Sequence, residues 1–180
     1  MKYCRSALTM IAVVLVLTGA CMAAQVGVLY NFAADPISAE DCPGFGLPAA
    51  PVFDSKGNLY GTCNGITGGG EVYELTPSAE DPWTRTLVYD NGLNLGNPNN
   101  SLIFDSKGNL YGTDNSGGDY GRGSVFELSP PAVAGAVWTY TRLYSFLNTG
   151  TDGQYPSGGV IFDGKGNLYG TTSTGGTNTP

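Results

Sequence analysis

Short runs in which apolar and polar side chains alternate, separated by turn-forming residues, follow one another from residue 25 onward. Residues 72–77 and 125–130 show the two-residue period of a β-strand with one buried face, and each run ends at a proline. We find no helical periodicity after the first 24 residues, and the 28 glycines and 11 prolines disfavour long helices. The pattern therefore predicts an all-β chain built from short strands.

The strongest signal is an internal repeat. The segment Phe-Asp-Ser-Lys-Gly-Asn-Leu-Tyr-Gly-Thr at residues 53–62 recurs unchanged at residues 104–113, and a copy at residues 162–171 differs at Gly164 alone. The copies start about 50 to 60 residues apart, which is the spacing of a supersecondary unit. A Gly-Gly pair follows each copy, and a Val-Tyr/Phe-Glu-Leu run and a Trp-Thr pair follow the first two. We therefore predict that residues 25–180 form a tandem-repeat region.

Each unit is predicted to contain four strands. The β-branched and aromatic run before each Asp is a strand, Asp-Ser-Lys-Gly-Asn is a turn closed by a glycine with positive φ, and Asn-Leu-Tyr-Gly-Thr returns as the second strand. The Val-Tyr/Phe-Glu-Leu run and the Trp-containing run supply the other two. Four short strands in about 50 residues is the size of a β-propeller blade. Residues 29–32 resemble the closing strand of such a blade.

The repeats are too few for a closed propeller. The chain holds roughly two and a half units, whereas propellers typically close with about four to eight blades. The third copy ends at Pro180 directly after its Gly-Gly loop. We therefore expect an incomplete, propeller-like fold in a truncated piece of a longer protein. If the chain is complete, it is expected to associate with other chains, because open sheets leave strand edges unpaired.

The repeat unit resembles a known family. Its order of Leu-Tyr-x-Phe, Asp-Gly, Pro-x-Gly, the Gly-Asn-Leu-Tyr-Gly-Thr core, Gly-Gly and Val-Phe-Glu-Leu-Thr/Ser-Pro is similar to the GloVer (Gloeobacter–Verrucomicrobia) tandem repeat of exported bacterial choice-of-anchor proteins. Residues 143–146, 152–153, 156–158 and 162–176 match best. The resemblance implies a propeller-like secreted or cell-surface protein of unassigned biochemical role. It also implies a variable C-terminal anchoring segment, which is not seen before Pro180. A more distant similarity is to NHL-type propellers.

The first 24 residues have the three parts of an export signal. Lys2 and Arg5 precede the apolar run 7–17, and small residues lead to cleavage after Ala23 or Ala24. We therefore predict a secreted, periplasmic or cell-surface protein with no transmembrane helix after signal removal. An alternative is lipoprotein processing, since residues 17–21 resemble a lipobox, an acylation motif that would place the lipid on Cys21.

The remaining cysteines fit an oxidising compartment. Cys42 and Cys63 are the two that lie beyond the leader and Cys21. Exported chains tend to pair their thiols, so we predict a Cys42–Cys63 disulfide that contributes on the order of 3 kcal/mol. Two unpaired loop thiols are the alternative.

Composition excludes several classes of function. The chain contains no histidine, so histidine-based triads, metal sites and general bases are absent. No nucleophile elbow or P-loop occurs, and the glycine-rich residues 117–123 precede a strand, which predicts a loop. Removal of the leader leaves 6 basic and 15 acidic residues, a net charge of −9, which disfavours a nucleic-acid partner. We predict no catalytic residue, cofactor or metal.

The carboxylates and tyrosines of the repeat are assigned to structure. Asp54, Asp105 and Asp163 could bind calcium or act as an acid–base pair, but each occupies a turn position where Asp bonds its own backbone. The strand tyrosines could stack on sugars, yet their fixed position favours packing between blades. They are Tyr60, Tyr111 and Tyr169.

Candidate ligand contacts lie in the loop after the second repeat core. Propeller loops often carry binding sites, and the loop residues differ between the copies. The polar and aromatic candidates in this loop are Asp114, Asn115, Asp119 and Tyr120.

These observations lead to three functional hypotheses. We favour a non-catalytic exported repeat protein that acts as a binding or structural module for an unknown extracellular ligand, either a polysaccharide or a protein. One alternative is a carboxylate- or metal-dependent hydrolase or lyase whose site lies partly in missing blades. Another is a carbohydrate-binding propeller. Fold alone does not decide among them, because propellers host many functions.

Overall fold

The computed structural model of this chain describes residues 10–16, 25–32, 49–64, 69–78, 83–90, 96, 98, 100–133 and 135–177. In these ranges the chain is all-β, with fourteen strands and no helix. A search of the same residues finds no helix that is long and apolar enough to span a membrane. The predicted fold class is therefore confirmed.

Two four-stranded antiparallel meanders form the centre of the described structure, and we call them blade 1 and blade 2. Blade 1 contains β3 (Val52–Phe53), β4 (Leu59–Asn64), β5 (Gly70–Thr76) and β6 (Thr84–Asp90). Blade 2 contains β7 (Ile103–Phe104), β8 (Leu110–Asp114), β9 (Ser124–Ser129) and β10 (Thr139–Ser145).

The two blades share one register. Leu59 pairs with Leu75 in blade 1, and Leu110 pairs with Leu128 in blade 2. The same repeat positions therefore meet across the strands of both blades, as the identical cores predict.

The glycine of each Leu-Tyr-Gly-Thr strand leaves space for an aromatic ring. A Cβ at Gly61 would lie 2.3 Å from the Tyr73 hydroxyl oxygen, and one at Gly112 would lie 2.6 Å from Phe126 Cζ. Tyr73 and Phe126 are the cross-strand partners of these glycines. The aromatic ring of the neighbouring strand thus covers the glycine, which has no side chain at that point.

The blades pack face to face through a shared core. Blade 1 supplies Tyr60, Val72 and Val88, and blade 2 supplies Leu110, Phe126 and Leu128, with Leu102 from the preceding segment. A second cluster on the opposite face of blade 1 joins Leu59, Cys63, Tyr73 and Leu75, against which Tyr30 and Trp83 pack. Burial of these apolar faces is the main stabilising contribution to the stack.

The same aromatic contact joins successive repeats. The Tyr60 ring meets the Phe104 ring edge to face, with centroids 5.1 Å apart, and Tyr111 meets Phe162 in the same way at 5.0 Å. In each pair the tyrosine belongs to the second strand of one repeat and the phenylalanine to the first strand of the next. Edge-to-face geometry is favourable for aromatic pairs.

The third repeat is incomplete in the described residues. Its strands β12 (Ile161–Phe162) and β13 (Leu168–Tyr169) pair with each other, while β11 (Gly153–Pro156) pairs with β14 (Thr172–Gly175). Tyr169 is 55% exposed, whereas the equivalent Tyr60 is 5% exposed. The prediction that the strand tyrosines pack between blades is therefore correct for Tyr60 and Tyr111 and wrong for Tyr169.

The N-terminal segment contains two paired strands. Strand β1 (Met10–Val16) lies antiparallel to β2 (Gln25–Phe32), and the Trp83 N–H donates to the Leu29 carbonyl at 3.0 Å. Residues 29–32 are a strand, as predicted, and Tyr30 packs on blade 1. This arrangement belongs to the unprocessed chain, so the export signal over residues 1–24 stays a prediction.

Candidate functional site

The turn carboxylates are fully engaged within their own turns. Asp54 Oδ1 accepts the Lys56 and Asn58 N–H groups, both at 2.8 Å, and Oδ2 accepts the Asn58 side-chain amide at 3.0 Å. Gly57 closes the turn at φ +88°. The same bonds recur at the other two copies, around Asp105 and Asp163. These bonds are the structural role predicted for the three Asp residues.

These turns also shift the carboxyl pKa values. Burial alone would raise the pKa of Asp105, but hydrogen bonds from the backbone of Asn109 and Lys107 and from the Asn109 amide outweigh it and lower the pKa. At Asp163 the Asn167 side chain is the main donor that lowers the pKa. In the part of the chain that the structure describes, no cluster of three potential metal-ligating side chains is found.

The four predicted loop residues divide into two pairs. Asp114 and Asn115 face the protein, whereas Asp119 and Tyr120 are exposed. They follow β8 in blade 2, so the structure places all four at one end of that blade but does not bring them together around one point.

Asp114 is a buried carboxylate. It has no exposed surface, and Ser124 donates its hydroxyl to Asp114 Oδ2 at 2.7 Å, while Oδ1 accepts no hydrogen bond from any described residue. Burial raises the pKa of Asp114 to about 6, although the Ser124 hydrogen bonds and the Arg142 charge act in the opposite direction. Asp114 therefore lies inside the protein, beside Ser124, and not at the solvent-exposed part of the loop.

Asn115 links blade 2 to the third repeat. Its side-chain amide donates to the Pro156 carbonyl at 3.1 Å, and Asn100 donates to the same carbonyl at 3.3 Å. The Thr113 hydroxyl donates to the Gly158 carbonyl at 3.1 Å. These bonds satisfy polar groups between two repeats and hold the loop base in place.

Asp119 and Tyr120 are on the solvent side. Arg142 Nη1 donates to Asp119 Oδ1 at 2.6 Å, and the Asp119 N–H donates to the Ser145 hydroxyl at 3.2 Å. Tyr120 is 55% exposed. The ion pair and backbone bond orient Asp119 beside an accessible aromatic ring.

Two residues that the sequence reasoning did not select complete this surface. Arg122 Nε donates to Asn148 Oδ1 at 2.9 Å, and the guanidinium carbon lies 5.3 Å from the centroid of the Tyr155 ring. Tyr155 has a φ of +56°, which is uncommon for a residue with a side chain, and its N–H donates to the Arg122 carbonyl at 2.8 Å. Arg122 is the one basic residue in the glycine-rich segment 117–123, and this charge is the sequence feature that could have identified it as a site residue.

The loop is fixed by its own backbone. The Gly123 N–H donates to the Gly117 carbonyl at 3.1 Å, and the Phe146 N–H donates to the Gly123 carbonyl at 3.1 Å. We use the term loop surface for Asp119, Tyr120, Arg122, Arg142 and Tyr155. This surface combines one carboxylate, two guanidinium groups and two aromatic rings on a hydrogen-bonded support.

Cys63 is buried in blade 1 and is disulfide-bonded. The predicted partner, Cys42, lies outside the described residues, so the Cys42–Cys63 pairing stays a prediction. The lipidation candidate Cys21 also lies outside them.

The comparison with protein families gives one match. A family model described as the Gloeobacter/Verrucomicrobia repeat matches residues 20–180. The search of curated proteins found no match to this chain.

Proposed function

The chain belongs to the Gloeobacter/Verrucomicrobia repeat family, and from this premise we propose that it is an exported, non-catalytic binding module that uses the loop surface to contact an extracellular ligand. The leader-like residues 1–24 and the predicted disulfide support export. The observation that carries the binding proposal is the exposed pair of Asp119 and Tyr120 on a hydrogen-bonded loop.

The support for a binding role is the contrast between scaffold and loop. The turn at Asp54 recurs in all three repeats with the same hydrogen bonds. The Asp-Tyr-Gly-Arg segment, which carries three of the five residues of the loop surface, occurs once in the sequence. A rigid scaffold with locally distinct loops suits recognition, since ordered loops bind with a smaller entropic cost.

Polysaccharide is the ligand class that this surface suits best. Aromatic rings pack against the apolar faces of sugars, and charged side chains in fixed positions bond their hydroxyls. Tyr120 supplies an exposed ring, and Asp119 and Arg122 supply an acceptor and donors on the same loop. The acidic balance of the chain disfavours nucleic acid as the ligand.

The experiment that tests this proposal is retention of the purified chain on a panel of insoluble polysaccharides and a glycan array. We expect Tyr120→Ala to weaken retention by roughly tenfold, because an aromatic contact that becomes buried on binding, worth about 1 to 2 kcal/mol, is lost. Val137→Ser is the matched control, since Val137 is 80% exposed in a different loop.

Two results would contradict the proposal. If Tyr120→Ala and Val137→Ser bind as the wild type does, the loop surface is not the contact. If the chain releases soluble sugar from any retained polysaccharide, the hydrolase or lyase hypothesis replaces the non-catalytic one. Export is checked separately by the intact mass of the secreted chain, which should lack residues up to Ala23 or Ala24, or carry a lipid on Cys21.

A further inference from the structure

The aromatic contact between repeats has two unmatched halves. Tyr60 meets Phe104, and Tyr111 meets Phe162, so Phe53 and Tyr169 are the members of the series without an aromatic partner of this kind among the described residues. Phe53 is 51% exposed and Tyr169 is 55% exposed, whereas Tyr60 is 5% exposed. The first described repeat thus shows one half of the contact, and the last shows the other.

The exposed tyrosine stands on a small apolar surface. Ile161 is the cross-strand partner of Tyr169 and is 66% exposed. The equivalent pairs in the other repeats, Val52 with Tyr60 and Ile103 with Tyr111, are at least partly buried. We call Ile161 and Tyr169 the tail face. Exposed neighbouring apolar groups of this kind mark a contact surface.

At the opposite end of the described repeats, the N-terminal segment covers part of blade 1. Tyr30 packs on the blade 1 cluster that includes Tyr73 and Leu75, and this cluster lies on the face of blade 1 away from blade 2. Tyr89 of blade 1 stacks in a similar way on Tyr140 of blade 2, with ring centroids 5.0 Å apart. Strand β2 therefore covers the outer part of this face, and Phe53 on the inner strand β3 remains open. We call Phe53 the head face.

We propose that a second copy of this chain binds head to tail, with the tail face of one copy against the head face of the other. The contact reproduces the edge-to-face pair that joins the repeats within the chain, so it needs no new geometry. The contact is heterologous, so head and tail are different surfaces.

Sedimentation velocity over about a hundred-fold range of concentration tests this proposal. The wild-type chain is expected to associate as concentration rises, and Phe53→Ser or Tyr169→Ser each to shift the midpoint upward by at least about tenfold. Val137→Ser, on an exposed loop between β9 and β10, is expected to associate like the wild type. Ile161→Ser is a second tail variant, and a thermal unfolding curve confirms that each variant is folded.

Mixing the variants gives the decisive result. The Phe53→Ser chain keeps its tail and the Tyr169→Ser chain keeps its head, so an equimolar mixture should form a one-to-one pair that neither forms alone. A monomeric wild-type chain at every concentration overturns the proposal. So does association of both single variants at the wild-type midpoint, because the contact then lies elsewhere.

Discussion

In blade 1, Cys63 stands opposite Glu71 across strands β4 and β5; in blade 2, Asp114 stands opposite Ser124 in the same register. Cys63 is disulfide-bonded, and Glu71 accepts a bond from Arg85 at 2.5 Å. Asp114 instead accepts a hydrogen bond from the Ser124 hydroxyl at one oxygen, and its other oxygen accepts none from the described residues. The repeat thus fixes the strand positions but leaves the chemistry at the strand ends free to differ.

The ion pairs differ in the same way. In blade 1 the Arg85 and Glu71 side chains are 9% and 12% exposed, so the pair is nearly out of water. Tyr140 occupies the Arg85 position in blade 2, and the blade 2 cation, Arg142, pairs with an Asp119 that is 64% exposed. A desolvated pair is costly to break, whereas an exposed one contributes little. We call blade 1 the anchored blade because its ion pair is nearly out of water, and blade 2 the open blade because Asp119 of its ion pair is exposed.

The largest effect is expected from breaking the blade 1 ion pair. Glu71→Gln should lower the free energy of unfolding by about 3 to 5 kcal/mol, because the change removes the carboxylate from an ion pair that is nearly out of water. Urea unfolding followed by circular dichroism measures this loss. A loss below about 1 kcal/mol would mean that water reaches Arg85 and that the two ion pairs are equivalent.

The disulfide is expected to rank second. Reduction of the wild-type chain should lower the free energy of unfolding by about 2 to 4 kcal/mol, since the unfolded chain loses a covalent restraint. Cys63→Ser serves as the control, because reduction should then change nothing. Peptide mapping of the oxidised chain identifies the partner, and a Cys63 peptide linked to anything but Cys42 would contradict the predicted pairing.

A smaller, pH-dependent effect is expected from Asp114. The pKa of Asp114 is raised in the folded chain to about 6, so the folded state binds the proton more tightly than the unfolded state does. The resulting stabilisation is present at low pH and is lost as the pH rises through about 6. Between about pH 5 and about pH 7.5 the free energy of unfolding should fall by about 1 to 2 kcal/mol from this group.

Asp114→Asn isolates the contribution of the carboxyl group to that slope. The chain contains no histidine, so few other side chains titrate in this interval. Urea unfolding at both pH values should show a flatter pH dependence for Asp114→Asn than for the wild type. An unchanged slope would show that Asp114 does not cause it.

The smallest effect is expected at the blade 2 surface. Asp119→Asn should change the free energy of unfolding by less than about 1 kcal/mol, because the Arg142 pair is exposed and screened by salt. The same urea titration measures it, alongside Glu71→Gln. Equal losses for the two variants would remove the distinction between an anchored and an open blade.

The strands and turns were predictable because they depend on local chemistry. The Asp54 turn needs an Asp, a Gly and an Asn within five residues, and all three are visible in the repeat. The burial of Asp114 was not predictable, since it depends on Ser124, which lies across the sheet. The Arg122–Tyr155 contact joins two repeats and has no local signature. The exposure of Tyr169 also follows from the surroundings, because its own sequence matches that of the buried Tyr60.

The self-contained turns also bear on how the chain folds. Each closes a hairpin between strands only a few residues apart, as between Phe53 and Leu59, and the meander adds each further strand beside its predecessor in sequence. Short loops close quickly and lose little entropy, so the three turns offer three independent starting points for folding. During synthesis each hairpin can therefore form as soon as its second strand has emerged, before the neighbouring repeat is available to complete the shared core.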